Sequence, residues 1–195
     1  MTDVYYHGPE RLTLFQEGMA AAVLRLNRAI ESRSALECVA LSAAIVDGLL
    51  RIGLILKSQL DSNSPEFDQK LLHQQDKDVR HGERWVIEQA GSRGVIPEEF
   101  RANLTRLYDR RNKCIHRFII SDVNYGFVTQ LVFDYADAIT RLNRYVGELE
   151  TAQLHKGVGF VVGEADAAEL DYESELTRWT QEMASRKDAR PNADA

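Results

Sequence analysis

Residues 35–60 carry Leu36, Val39, Ala43, Ile45, Val46, Leu49, Leu50, Ile52, Leu54, Ile55 and Leu56. At helical spacing these side chains point to nearly every side of the helix axis. A helix that is apolar all round has no face for water, so neighbours must surround it. This stretch therefore predicts a central, buried helix. Ser34 stands just before it and Glu37 three residues later, the spacing of a capping box. Asp61-Ser62-Asn63-Ser64-Pro65 reads as the turn that follows.

The neighbours are legible from their own periodicity. Pro9 suits the first turn of a helix, where no N–H donor is needed. Leu12, Phe15, Met19, Val23, Leu26 and Ile30 then recur at helical spacing. The stretch 66–83 is polar and takes no definite assignment. A shorter helix around Trp85, Val86 and Ile87 is expected to stop at Gly91. Pro97 with Glu98 and Glu99 marks another start, the acids lying near the positive end of the helix dipole. Its apolar face is Phe100, Leu104, Leu107, Cys114 and Phe118. A last long helix is expected over about 124–150, with Phe127, Leu131, Tyr135, Ala138, Leu142 and Val146 inward. The expected fold is one all-α domain, a bundle of about five long helices over 1–163. An acidic amphipathic helix and a frayed tail follow over 164–195, the helix carrying Leu170, Leu176, Trp179 and Met183.

Gly157-Val158-Gly159-Phe160-Val161-Val162-Gly163 reads as a connector. It lacks the Lys-Ser/Thr of a phosphate loop. Cys38 and Cys114 form no metal-ligand spacing and sit among apolar neighbours, as core cysteines do. His7, His73, His81 and His155 have no ligand partners at useful spacing, and no Glu-x-x-His occurs. No metal and no cofactor is expected. The opening Met1-Thr2-Asp3 begins no signal-peptide pattern. The longest uncharged apolar run, 38–46, is short for a bilayer span. The expectation is a soluble, cytoplasmic protein with no membrane partner.

The formal charge of −6 argues at first against an anionic partner. Its distribution changes that reading. Residues 164–182 hold seven acids against Arg178, so the rest of the chain is formally neutral. Residues 101–117 hold Arg101, Arg106, Arg110, Arg111, Lys113 and Arg117 against Asp109, a local +5. A patch of that kind can attract an anion whatever the overall charge. The acidic tail is an obvious competitor for it.

Within the basic stretch lies Arg111-Asn112-Lys113-Cys114-Ile115-His116. This segment resembles the signature of the HEPN superfamily, Arg-x(4–6)-His and very often Arg-Asn-x-x-x-His, on a late helix of a helical bundle. The likeness covers these six residues, with the helical layout before and after them compatible. It implies a metal-independent endoribonuclease, usually a homodimer whose two motifs face one cleft. The 2′-OH would attack the adjacent phosphate, leaving a cyclic phosphate and a 5′-OH. His116 would move the proton, as histidine serves as acid or base near neutral pH. Arg111 would hold the phosphate, whose oxygens match its planar fork. Asn112 would orient the phosphate or His116, and Arg110, Lys113 and Arg117 would add positive charge. The implied partner is RNA. The family also contains toxins held by antitoxins that attach AMP to a Tyr two residues after the motif His. Phe118 stands there instead, which removes that chemistry in its usual form.

Five residues on a straight helix turn Arg111 and His116 apart by about 140°. Either the helix is distorted, or the two converge across a dimer. Asp47, embedded in an apolar run, needs a cationic partner. Arg51 lies four residues on, and Arg111 is the other choice. The ribonuclease reading expects a cleft with His116 exposed. A non-enzymatic HEPN-like module for dimerisation or for binding a protein partner or a nucleotide expects His116 buried or remote from its twin. A plain structural bundle expects Arg111 locked to Asp47 and no cleft.

Overall fold

The computed structural model describes residues 8–72 and 81–159. It is all-helical: α1 is Gly8–Glu31, α2 Ala35–Ser62, α3 Glu83–Ser92, α4 Glu98–His116 and α5 Tyr125–Lys156. One short 3-10 turn, Gln69–Leu71, lies between α2 and α3. The acidic segment 164–195 and residues His7 and His73 lie outside the described residues.

As its composition requires, α2 is the centre. It packs most extensively on α5, and also on α1, α3 and α4. Val39, Val46, Leu50, Leu54 and Ile55 of α2 meet Leu131, Tyr135, Ala138 and Leu142 of α5 in one core. Val86, Ile87 and Ala90 of α3 join it, with Phe100, Leu104, Leu107 and Cys114 of α4. By length and hydropathy α2 also meets the description of a bilayer span, and 72% of its most apolar window is covered inside the bundle. Cys38 and Cys114 are free, buried core residues, and burial pushes both thiols up.

Several local expectations change. In α1 the inward face begins with Leu12, Phe15 and Met19, then continues through Ala22, Leu26 and Ala29. Val23 and Ile30 are exposed. α1 lies close against α2 at Gly48, where a Cβ would meet the Met19 side chain. Ser34 is the N-cap of α2, but its side chain makes no capping hydrogen bond. Its backbone, at φ −81° and ψ 79°, departs from the extended N-cap conformation; the Ser34 N–H donates back to Ala29 O at 2.8 Å, and Arg33 takes φ 58°. α3 runs past Gly91, where a Cβ would strike the Arg101 side chain on α4, so this glycine permits close approach. The left-handed residue that ends the turn is Gly94, at φ 72°. α4 closes at His116, which leaves Phe118 outside the helix and exposed. α5 runs six residues beyond the expected 150, to a left-handed cap at Gly157. Its other end is capped by Asn124, whose Oδ1 accepts from the Phe127 N–H at 2.9 Å.

Near the far end of α5 two buried amides meet. Gln153 Nε2 donates to Gln59 Oε1 at 2.8 Å and to Leu56 O at 3.3 Å. Gln59 Nε2 in turn donates to Pro65 O at 2.7 Å. Gly159 closes over this pair at φ 107°, with no room for a Cβ beside the Gln153 amide.

Candidate functional site

The Arg-Asn-x-x-x-His segment forms the last six residues of α4. α4 is unbroken α-helix to His116, so the angular separation of Arg111 and His116 is not removed by distortion. Leu107 and Cys114 set the buried face. Arg111, four residues after one and three before the other, is drawn partly inward with them. Asn112 is half-buried and His116 exposed.

Arg111 pairs with Glu83, the first residue of α3, and both side chains are about four-fifths buried (19% and 18% exposed). The guanidinium carbon also lies 5.2 Å from the centre of the Tyr108 ring. Arg111 Nε is buried without a hydrogen-bond partner. Tyr135, buried in the core, is a further neighbour: burial pushes its hydroxyl up, while the Arg111 charge acts in the opposite sense.

Asp47 is held by Arg51 at 2.7 Å, not by Arg111. Arg51 is itself fixed from two further sides, donating to Leu71 O at 3.0 Å and His81 O at 2.8 Å. The two ion pairs stand on the walls of one cavity of about 340 Å³. Ala40, Ala43, Ala44, Asp47 and Arg51 of α2 form one side, Arg111 and Ile115 of α4 another, and Glu83 closes it. The alanines recur at helical spacing and their small side chains leave the space open. His116 and Asn112 are not among its walls. The structure thus brings Arg111 and Asp47 to one cavity and leaves His116 on a different side of α4.

The supporting bases are dispersed. Arg110 pairs with Asp134 of α5 and lies 5.1 Å from the Phe127 ring centre. Lys113 lies 5.9 Å from the same ring. Arg101 holds Glu98 and Glu88. Arg106 and Arg117 are exposed, Arg117 following the end of α4. Three of the six bases thus face carboxylates, so the local field is weaker than the linear +5. Around the motif, Ile115, Phe118, Ile119 and Ile120 are exposed apolar residues.

Sequence reasoning did not find Glu83. Its separation of 28 residues from Arg111 carries no periodic signal. Among the described residues no group of three or more His, Cys, Asp or Glu side chains comes together. Comparison with protein-family models, with characterised proteins and with solved structures gives no significant match.

Proposed function

We propose that this protein is a metal-independent endoribonuclease of the HEPN type, acting as a homodimer on RNA. The observation that carries the reading is the intact Arg111-Asn112-x-x-x-His116 string at the exposed end of α4. His116 stands open to solvent, as a residue that meets an external substrate must. The exposed Ile115, Phe118, Ile119 and Ile120 beside it suit a second copy, which would bring a second His116 next to the first. Two histidines supply the acid and the base that transphosphorylation needs. One takes the 2′-OH proton as that oxygen attacks phosphorus. The other protonates the departing 5′-oxygen. Arg111 stabilises charge on the phosphate oxygens and Asn112 orients the phosphate or His116. A role as a cytoplasmic toxin or anti-phage effector, with an antitoxin or other regulatory protein, follows from the HEPN resemblance.

The second reading is a non-enzymatic HEPN-like module that binds a partner or a nucleotide. It is favoured by the Glu83 pairing of Arg111 and by a charged cavity that His116 does not reach. The deciding experiment is RNA cleavage in EDTA by the purified protein, beside folded His116→Ala and Arg111→Ala variants. The expected result is cyclic phosphate ends, lost in both variants. No cleavage of a broad RNA panel by the folded wild type would reject the enzyme in favour of the module.

A further inference from the structure

We propose that Glu83 is an internal competitor for Arg111, a latch that RNA must displace before its phosphate can be held. This rests on the ribonuclease reading of Arg111 and names how that site is kept silent.

Guanidinium pairs with carboxylate and with phosphate through the same planar set of N–H donors. A phosphate therefore takes the place Glu83 now occupies. The other acid of the cavity is not the mobile one. Asp47 is tied to Arg51, and Arg51 is fastened to two backbone carbonyls, so that pair is part of the scaffold. Glu83 has Arg111 as its ion-pair partner and sits at the first position of α3, behind Gly82. Rotation of its own side chain frees Arg111 without unwinding a helix.

Charge gives the latch its effect. With Glu83 in place, Asp47 and Glu83 cancel Arg51 and Arg111, and the cavity is formally neutral. With Glu83 turned out, the same walls carry a net positive charge beside about 340 Å³ of open space. An anion is admitted only in the second state. The latched state lowers apparent affinity by the fraction of molecules that are closed.

The test measures binding of a 2′-O-methyl RNA oligonucleotide, which cannot be cleaved, by fluorescence anisotropy. Glu83→Gln keeps the shape of the side chain and removes its charge. It should bind on the order of tenfold more tightly than wild type and cleave ordinary RNA faster. Adding Arg111→Met should erase that gain. Equal or weaker binding by a folded Glu83→Gln, while wild type binds and cleaves, overturns the latch and leaves the ribonuclease standing. Absence of both binding and cleavage in wild type and variant overturns the ribonuclease reading and the latch together. A second measurement needs no Glu83 variant. The Arg111 Nε–H resonance, identified by its loss in Arg111→Lys, should move as wild type is titrated with the same RNA. A resonance that stays fixed while RNA binds overturns the latch.

Discussion

Removing either partner of the Glu83–Arg111 pair should be costly, and removing both should be cheaper than the two losses added. Breaking a buried ion pair from one side leaves an uncompensated charge, a loss of about 3–5 kcal/mol. Both side chains keep nearly a fifth of their surface, so the lower end, about 3 kcal/mol, applies to each single variant. Methionine is the useful replacement, since it preserves much of the packing of the arginine stem. Arg111→Met also gives up the Tyr108 contact, about 1 kcal/mol. Glu83→Met gives up an acid in the first turn of α3, about 0.5 kcal/mol. These side losses appear in the double variant as well and cancel in the cycle. Beyond those side losses the double variant should lose about 3 kcal/mol, against about 6 for the two singles added, leaving a favourable coupling of about 3. Urea unfolding of the four proteins measures this, provided the slope with denaturant is constant. Single losses under about 1 kcal/mol, with coupling under about 0.5, would show a pair no stronger than a surface bridge and refute the reasoning.

Three further outcomes follow from the packing. The raised Tyr135 hydroxyl contributes stability that is complete below the ordinary tyrosine range and is lost as pH climbs through the raised value. Wild type should weaken above about pH 10 more steeply than Tyr135→Phe in pH-dependent thermal unfolding; parallel curves would exclude Tyr135 as the cause. Gly53→Ala places a Cβ 2.6 Å from Val95 Cγ1, so an overpacking loss of about 1–3 kcal/mol should exceed the helix-propensity gain of about 1. A raised denaturation midpoint would mean that Val95 moves aside freely. Ile119→Asp with Ile120→Asp should change protomer stability by less than about 0.5 kcal/mol, because both residues are exposed. If the proposed homodimer forms through this face, analytical ultracentrifugation should find the variant monomeric where wild type is dimeric, and an unchanged mass would place the contact elsewhere.

The fold was readable where burial is intense. α2 declares itself because no soluble surface can be made from its sequence. α5 is equally clear, since Leu131, Tyr135, Ala138, Leu142 and Val146 keep one face over several turns. In α1 the expected Leu26 faces inward but Val23 and Ile30 do not, because a period of 3.6 permits steps of three or four, and larger Val23 and Ile30 stand beside Ala22 and Ala29. Close helix contact favoured the smaller residues. At the site, the Asp47–Arg51 pair was accessible from spacing alone, one helical turn apart. The Glu83 contact was not, because the partners belong to different helices and only the fold brings them together. The same cause explains the overestimated positive patch: Asp134, Glu88 and Glu83 lie outside residues 101–117 and offset charges within it.

The buried Gln59–Gln153 contact has a consequence for how the bundle finds its register. Aliphatic surfaces on α2 and α5 discriminate weakly between alignments one turn, about 5.4 Å, apart, because leucine and valine pack tolerably against many neighbours. Amides do not share that tolerance. Slide either helix by a turn and Gln153 leaves both Gln59 and the Leu56 carbonyl, while each stranded amide costs about 1–3 kcal/mol. A misaligned bundle would then keep most of its oil-like contacts and still be rejected. The two glutamines act as an index mark on otherwise sliding rods, widening the gap between one alignment and its near copies.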